Sequence, residues 1–187
     1  MSPVEAALAG LWLMLPALIP NSAAVLVGGG TPMDLGKTWR GMRILGDGKT
    51  WRGFVGGAAA GVMFGAFQIA LGESADLGDA WSHGGWPSAF VVVLCLGLGS
   101  MVGDSMGSFI KRRLGVERGI KAPGLDQYNF VIGAVALVMI FEFGWFDHHF
   151  VEGNAIWGLV AVLVVVPLLH RGINIIGYKM GKKNVPW

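Results

Sequence analysis

The sequence predicts an all-α membrane protein, a bundle of five transmembrane helices that forms one integral-membrane domain over residues 1–187. Two composition figures favour this class: 53% of the residues are hydrophobic and only 14% are charged, against about a quarter in an ordinary soluble domain. The third observation is the 31 glycines, a residue that membrane helices use where their backbones pack closely. With one cysteine, Cys95, a disulfide scaffold is excluded, as are a soluble domain and a disordered chain.

Five apolar segments reach or approach the roughly 20 residues that a membrane-spanning helix needs. The first contains Pro16 and Pro20, which predict a kink or a break in that helix. The fourth is the shortest, and we expect its helix to extend beyond both ends. The predicted spans 1 to 5 cover residues 8–27, 54–71, 88–110, 130–145 and 155–176.

The basic residues predict the orientation of the bundle. All 14 Lys and Arg residues lie in the segments 37–52, 111–121 and 171–183, which are all on one side of the predicted membrane. The other side carries acidic residues, such as Glu73 and Asp147. Because positive loops stay on the cytoplasmic side, we expect the N-terminus outside and the C-terminus in the cytoplasm.

Two stripes of glycine repeat at every fourth position, one on span 2 and one on span 3. Such stripes predict close contact between helices. The same stripes are also compatible with room for a lipid tail or a phosphate. The stripes consist of Gly53, Gly57, Gly61 and Gly65, and of Gly99, Gly103 and Gly107.

The first basic segment repeats the hexapeptide GKTWRG, at 36–41 and at 48–53, and an acidic residue, Asp34 or Asp47, precedes each copy. Glycine N–H groups, a Thr hydroxyl and the Lys and Arg cations suit a phosphate. A loop that only touches lipid headgroups would also be basic, but it would not need two identical copies. The candidate phosphate ligands of the two copies are Lys37, Arg40, Lys49, Thr50 and Arg52.

Asp104 is an acidic residue inside the third apolar segment. It lies six residues before the end of span 3, which places it about 9 Å into the membrane at about 1.5 Å per residue. A carboxylate at that depth indicates a functional site by default. Ser100, Ser108 and Lys111 share its helical face. The alternative is an ion pair of Asp104 with Lys111 or an arginine that only joins helices.

A second carboxylate, Asp126, begins span 4 directly after the turn signal at 123–124. Two carboxylates among cations at one membrane boundary suit a metal-bound nucleotide, because Mg²⁺ binds one or two carboxylates together with phosphate oxygens. Asn21, near the end of span 1, either caps a helix broken after Pro20 or reaches this site.

The histidines give no comparable signal. His83, His148 and His149 are predicted on the outer side, and His170 lies late in span 5. No carboxylate or cysteine stands at metal-site spacing to them. We therefore interpret them as residues of the membrane interface.

Several stretches together resemble the CDP-diacylglycerol synthase family. The early glycine-rich segment and the short chain are most similar to its archaeal branch, the CDP-archaeol synthases. The resemblance covers most of the chain. The matching stretches are GGGTPMD at 28–34, DGKTWRG at 47–53, GDS at 103–105, SFIKR at 108–112, GV at 115–116 and PGLD at 123–126.

The resemblance implies a Mg²⁺-dependent cytidylyltransferase of phospholipid biosynthesis. In this reaction the phosphate of 2,3-bis-O-geranylgeranyl-sn-glycerol 1-phosphate attacks the α-phosphorus of CTP, and pyrophosphate leaves. The implied metal ligands are Asp104 and Asp126, with Lys49 and Lys111 as further catalytic residues. The implied substrate-binding residues are Lys37, Arg40, Thr50, Arg52, Ser105, Ser108, Arg112 and Asn21.

The implied location is the cell membrane, with the active site facing the cytoplasm and no nucleic-acid partner. Two other classes stay open at this point: a small transporter or channel, and a non-catalytic protein that binds lipid phosphates. A transporter would need polar residues that continue across the membrane, whereas the outer halves of spans 2 and 3 are apolar.

Overall fold

A computed structural model describes residues 1–117, 120 and 122–181. Over these residues the chain is mainly helical, with one small antiparallel hairpin that pairs Thr38 with Arg43. In chain order the elements are α1 (Pro3–Val27), β1 (Thr38–Trp39), β2 (Met42–Arg43), α2 (Trp51–Ala75), α3 (Ser88–Arg113), α4 (Leu125–Phe141), α5 (Phe143–Phe150) and α6 (Ile156–Lys179), with 3-10 turns at Asp79–Trp81 and Gly153–Ala155.

Within the described residues, α1, α2, α3 and α6 are each long and apolar enough to cross a membrane. The prediction of an all-helical membrane protein is thereby confirmed. The central helix is α3, which packs against α1, α2 and α4. The fourth predicted span corresponds to α4, an apolar helix of 17 residues.

The fourth span differs from its predicted extent. Its helix does begin earlier, at Leu125, but the expected extension beyond Trp145 is wrong. The helix ends at Phe141, because Glu142 leaves the helical conformation with φ −140° and ψ 49°. The Glu142 carboxylate accepts a hydrogen bond of 2.6 Å from the Ser88 hydroxyl at the start of α3. The chain then continues as the separate short helix α5, which contains Trp145.

The two prolines of the first span predict a kink or a break; the break does not occur, because α1 runs as one helix through Pro16 and Pro20. Pro16 has no N–H to donate to the carbonyl of Trp12, four residues earlier. The side chain of Gln68 on α2 supplies the missing donor, with its Nε2 2.8 Å from that carbonyl oxygen. A neighbouring helix thus satisfies the group that the proline leaves unpaired.

A side chain also replaces a backbone donor lost to proline in α6. Pro167 removes the donor for the carbonyl of Leu163. The hydroxyl of Tyr128 on α4 donates to this oxygen at 2.7 Å. At Pro16 and at Pro167, a side chain of another helix therefore replaces the lost backbone hydrogen bond.

The glycine stripes lie where helices touch, as predicted. A Cβ added at Gly61 on α2 would lie 2.4 Å from the Pro16 carbonyl oxygen of α1, and one at Gly65 would lie 2.3 Å from Val93 of α3. On α3, a Cβ at Gly103 would lie 2.2 Å from the carbonyl oxygen of Asn129 on α4. At Gly61 and Gly103 the facing backbone leaves no space for a side chain, and at Gly65 the side chain of Val93 fills that space.

Gly133→Ala should destabilise the bundle by about 1–3 kcal/mol, the usual cost of overpacking. The added methyl would lie 2.4 Å from the carbonyl oxygen of Gly99 and 2.5 Å from the Cα of Gly103. These are backbone atoms, which cannot relieve the clash by a change of side-chain rotamer. The measurement is thermal or denaturant unfolding in detergent. Gly172→Ala is the matched control, since a methyl there meets nothing within 4 Å. Equal stability of the two variants would contradict the close α3–α4 contact.

The described basic segments meet at one end of the bundle, which we call the basic end. Here Arg113 of α3 contacts the hairpin, Lys49 contacts Asp104 and Lys111 contacts Asp126. Four of the basic residues used for the predicted orientation lie outside the described residues. These are Arg118, Lys121, Lys182 and Lys183.

Candidate functional site

The two copies of GKTWRG adopt different structures. The first copy, 36–41, forms β1 and the turn of the hairpin, in which Arg40 and Gly41 both have positive φ (53° and 79°). The second copy, 48–53, opens α2, and its Thr50 hydroxyl caps the helix by accepting the N–H of Gly53 at 3.1 Å. The sequence that follows decides the outcome, since the second copy leads into a long apolar helix and the first does not.

Asp34 organises the loop that carries both copies. Its buried carboxylate accepts backbone N–H groups from Gly36, Leu45 and Gly46 at 3.1, 3.0 and 2.9 Å. It also accepts two hydrogen bonds from the Arg43 guanidinium, at 2.5 and 3.2 Å. These hydrogen bonds, that of Arg43 above all, hold the pKa of Asp34 well below its usual range. The loop is therefore built around one charged group and keeps a defined shape.

Arg113, the last residue of α3, docks the hairpin onto the bundle. Its guanidinium donates to the carbonyl oxygens of Trp39 at 2.6 Å and Arg43 at 2.9 Å. It also lies over the rings of Trp39 and Phe109, 4.9 and 5.4 Å from their centroids. In the sequence, Arg113 is one of several basic residues in the segment 111–121, and no local pattern distinguishes it from Arg112.

Arg113→Gln should release the hairpin while the helices stay folded. Loss of charge-assisted hydrogen bonds costs about 1.5–3 kcal/mol, so amide hydrogen exchange at the hairpin should speed up roughly 10- to 150-fold. The measurement is hydrogen exchange of residues 36–46 by mass spectrometry. Arg171→Gln, an exposed site on α6, is the matched control. Unchanged exchange in the Arg113 variant would show that other contacts hold the hairpin.

Two lysine–carboxylate pairs lie at the basic end. Asp104 of α3 pairs with Lys49 from the second hexapeptide, and Asp126 of α4 pairs with Lys111 at 2.6 Å. The partners differ from the predicted alternative, in which Asp104 pairs with Lys111 or an arginine. Each of the four side chains keeps between 19% and 23% of its surface exposed, so the pairs are half-buried and open to a ligand.

These pairs border two cavities. The larger has a volume of about 360 Å³, and its polar end contains Asn21, Lys49, Asp104 and Asp126. The smaller, of about 110 Å³, lies on the other side of Asn21, Lys49 and Asp104 and is lined by Thr50 and other residues of the second hexapeptide. We call Asn21, Lys49 and Asp104, which line both cavities, the junction.

The rest of the larger cavity is a mainly apolar groove between α1 and α6. These helices touch closely at Gly10 and Gly158, since a Cβ added at Gly10 would lie 2.4 Å from the Cα of Gly158. Towards the basic end they separate, and the groove opens between them. Several of its apolar lining residues are also exposed on the outside of the bundle, so the groove opens sideways. These residues are Leu26, Leu169, Ile173, Ile176 and Met180.

Asn21 does not cap a broken helix, because α1 continues to Val27. It lies within the helix and faces both cavities. Its Oδ1 atom is buried and has no hydrogen-bond partner among the residues that the structure describes. An amide oxygen without a partner beside two carboxylates is available to a cation or to a donor group of a ligand.

The structure brings together about half of the predicted site residues. Asn21, Lys49, Asp104 and Asp126 line the larger cavity, Thr50 and Ser105 line the smaller one, and Lys111 joins them through Asp126. The other predicted residues line neither cavity. Lys37 and Arg40 are exposed in the hairpin segment, and Arg52 is exposed on the first turn of α2. Ser108 is buried on α3, and Arg112 donates to the carbonyl of Val116.

A polar pair on α6 also lies at the site and was not among the predicted site residues. His170 and Asn174 line the larger cavity and contact each other at 3.3 Å, although His170 was interpreted as an interface residue. The signal was present, since two polar residues four positions apart in an apolar span share one helical face.

The oxygen donors at the basic end fit a hard divalent cation. Asp104 and Asp126 supply carboxylates to the same cavity, and Asn21 supplies an amide oxygen. Mg²⁺ prefers oxygen ligands and keeps positions for water and phosphate oxygens. A ligand set of one or two carboxylates with space beside it therefore suits Mg²⁺ bound to a nucleotide.

Comparisons with known proteins place the chain in a family. The family model described as "CarS-like: CDP-archaeol synthase" matches residues 4–187. The CDP-archaeol synthase of Methanospirillum hungatei is 46% identical over 93% of this chain and 100% of its own length. The CDP-archaeol synthase of Pyrococcus furiosus is 44% identical over 96% of this chain and 98% of its own length.

A solved structure is also similar. It was reported as "Structural insight into an intramembrane enzyme for archaeal membrane lipids biosynthesis", and it matches with a TM-score of 0.70 and 38% identity over 90% of this chain and 94% of that one. The sequence motifs, the fold and these matches agree, and the chain belongs to the CarS-like family of CDP-archaeol synthases.

Proposed function

We propose that this protein is a CTP-dependent cytidylyltransferase that converts 2,3-bis-O-geranylgeranyl-sn-glycerol 1-phosphate into CDP-archaeol and pyrophosphate. The observation that carries this proposal is the junction, where lysine and carboxylate groups lie between a polar cavity and an apolar groove that opens sideways. A lipid phosphate can reach the junction while its tails lie in the groove, and the phosphates of a nucleotide can reach it among polar groups. A membrane protein that only binds lipid phosphate would not need the second, polar cavity.

The groove between α1 and α6 suits the lipid tails. Its walls are mainly apolar and include exposed residues, so a lipid can enter from the membrane while its tails stay in largely apolar surroundings. The lipid phosphate then lies at the polar end, beside Lys49 and Asp126. Transfer of each methylene of a tail from water to an apolar site contributes about 0.8 kcal/mol. In the groove, however, the tail leaves lipid rather than water, so little free energy is gained. The groove therefore contributes more to positioning the substrate than to its affinity.

The reaction needs little proton chemistry. An oxygen of the lipid phosphate attacks the α-phosphorus of CTP, the bond from that phosphorus to the bridging oxygen of the β-phosphate breaks, and pyrophosphate leaves with the electron pair. The nucleophile is already an anion, so no strong general base is required. Positioning and charge neutralisation therefore carry the catalysis. Lys49 and Lys111 are the described cations that pair with Asp104 and Asp126.

Asp104 and Asp126 would hold Mg²⁺, with the amide oxygen of Asn21 as a further donor. When bound, Mg²⁺ supplies positive charge to the triphosphate and to the oxyanions of the transition state. Lys49 and Lys111 hold the two carboxylates in place through their ion pairs. The same lysines are long enough to turn from the carboxylates to phosphate oxygens when these arrive.

We further propose that α4 is a fifth span of a single integral-membrane domain, and that the basic end faces the cytoplasm. The charge asymmetry of the sequence supports this orientation, and CTP is a cytoplasmic compound. The N-terminus is then outside, and the C-terminal end of α6 is inside.

Cysteine labelling in intact cells tests the orientation. In a Cys95→Ala background, Lys179→Cys should react with a membrane-impermeant maleimide only after the membrane is opened, whereas Ser74→Cys should react before. Both positions are exposed at opposite ends of the bundle. Labelling of both residues from the same side would contradict the five-span topology.

The reaction itself is tested with purified protein in detergent, CTP, Mg²⁺ and the lipid phosphate. We expect release of pyrophosphate in step with formation of the CDP-lipid, detected by mass spectrometry, and little product from ATP, GTP or UTP. Binding of lipid phosphate without consumption of CTP would favour the non-catalytic alternative. Movement of a solute across vesicles without either product would favour a transporter.

A further inference from the structure

A second cluster of polar side chains lies at the end of the bundle opposite the basic end. Asp79 begins the 3-10 turn after α2, and His148 and His149 lie near the end of α5. One ligand atom from each of the three residues lies within 4.8 Å of those of the other two. Sequence spacing placed no carboxylate with these histidines, which were interpreted as interface residues, because Asp79 precedes His148 by 69 residues and His149 by 70 and reaches them only through the fold.

The surroundings of both imidazoles direct the Nε2 atoms towards Asp79. His149 has its Nδ1 2.9 Å from the carbonyl oxygen of Trp145, and His148 has its Nδ1 3.0 Å from the Glu152 carboxylate. Both Nδ1 neighbours are hydrogen-bond acceptors. The Nε2 atoms also face acceptors, at 2.7 Å from the Oδ2 atom of Asp79 for His148 and 3.2 Å from its backbone oxygen for His149. Without a metal, these contacts need a proton on Nε2; a bound cation would replace that proton while each Nδ1–H keeps its acceptor.

This arrangement is the one that metal-binding histidines adopt. A ligating imidazole usually donates its other N–H to a carboxylate or a backbone carbonyl, which fixes the ring and raises its basicity. Here one ring has a carboxylate, Glu152, in that role, and the other has a carbonyl, that of Trp145. The supporting contacts of a metal site are therefore already in place.

The cluster combines one fixed ligand with two adjustable ones. His149 is buried and stacks on Trp145, with ring centroids 4.8 Å apart. The side chains of His148 and Asp79 are 51% and 74% exposed. Ligand atoms around a tetrahedral zinc ion lie about 3.3 Å apart, so rotation of the two exposed side chains is enough to reach that spacing.

We propose that Asp79, His148 and His149 bind a divalent transition-metal ion of the zinc class. Two imidazole nitrogens and one carboxylate suit Zn²⁺, and the adjoining cavity of about 310 Å³ leaves room for water as a fourth ligand. The ion would clamp the connection between α2 and α3 onto α5. This inference does not depend on the proposed reaction, since the cluster and the junction lie at opposite ends of the bundle.

The competing interpretation is a hydrogen-bonded ion cluster without metal. In it, a protonated His148 lies between Asp79 and Glu152, and the hydrogen bonds that it donates to these two carboxylates raise the pKa of His148 above its ordinary value. Such a cluster would depend on pH and would be indifferent to zinc.

The test uses the full chain in detergent, with any affinity tag removed and bound metal stripped by a chelator. We expect about one Zn²⁺ per chain by equilibrium dialysis, and a visible absorption band of tetrahedral type when Co²⁺ is used instead. Asp79→Asn and His148→Gln should each weaken Zn²⁺ binding roughly 100-fold or more, and Glu152→Gln about 10- to 100-fold. Zn²⁺ should raise the melting temperature of the parent protein and not that of the first two variants.

Two controls locate the site. Asp147→Asn changes a neighbouring carboxylate outside the cluster, and Asp104→Asn changes the basic end; both should retain the Zn²⁺ stoichiometry and the Co²⁺ spectrum. The proposal is overturned if the parent protein binds no Zn²⁺, or if Asp79→Asn and His148→Gln bind it as tightly as the parent. It is also overturned if the bound Zn²⁺ is lost in Asp104→Asn and kept in Asp79→Asn.

Discussion

Asp104→Asn is expected to lower the rate of CDP-lipid formation by about 100-fold or more, which corresponds to about 3 kcal/mol of transition-state stabilisation. The amide keeps the size of the side chain and removes the negative charge that we propose to hold Mg²⁺ beside the triphosphate. The site offers no substitute at this position, because Asp126 belongs to another helix and pairs with its own lysine. The measurement is the steady-state rate of pyrophosphate release at saturating CTP.

Melting curves separate this effect from a loss of structure. Without substrates the Asp104→Asn protein should melt close to the parent temperature, because Lys49 keeps 23% of its side chain exposed and water can solvate its charge. Mg²⁺ with CTP should stabilise the parent by mass action and leave the variant unchanged. Asp147→Asn, at the opposite end of the bundle, should behave like the parent. An Asp104→Asn protein that stays active and responds to Mg²⁺ would refute the proposed site.

The features of the fold that could be predicted are those with a local signal. Hydropathy locates the long apolar helices, and glycine at every fourth position marks where α2 and α3 meet their neighbours. The carboxylate of Asp104 stands out for the same reason, since its cost inside an apolar segment is visible in one short stretch of sequence. Each of these signals arises from the membrane acting as a solvent, which constrains every residue of a span.

Features that depend on two distant segments could not be predicted. Pro16 reads locally as a break, and only Gln68, 52 residues later, explains why α1 continues. The pairing of Asp104 with Lys49 rather than Lys111 follows from where the second hexapeptide enters α2. Asp79 reaches His148 only because the connections at that end of the bundle fold together. In each case the decisive partner is remote in sequence, and spacing carries no information about it.

The repeated hexapeptide also shows that local sequence does not determine the role of a residue in the fold. Identical residues at 36–41 and 48–53 suggest identical roles, but one copy forms a hairpin that Arg113 holds and the other caps a helix. Both copies have the same charge and composition, but they lie at different positions relative to Asp104 and Asp126. Only Lys49 of the two equivalent lysines reaches the junction, and this difference leads to a test.

Lys49→Ala should reduce kcat/KM roughly 10- to 150-fold, the range expected for loss of a charge-assisted contact of about 1.5–3 kcal/mol. Lys49 lines both cavities and contacts Asp104, so its charge lies where the phosphates of both substrates would meet. Arg52→Ala should change kcat/KM much less, since Arg52 is exposed on the first turn of α2 and lines neither cavity. The two residues belong to the same hexapeptide copy and carry the same charge.

This comparison distinguishes a built phosphate site from a basic loop that only attracts anions. Exposed charges act over a distance and are screened by salt, with a Debye length of about 8 Å at physiological ionic strength. If the loop acts in that way, Lys49→Ala and Arg52→Ala will reduce kcat/KM equally, and high salt will abolish the difference from the parent. If Lys49 contacts phosphate at the junction, its deficit will persist at high salt, and Lys49→Arg will recover only part of the rate, because a planar guanidinium does not reproduce the compact charge of an ammonium group.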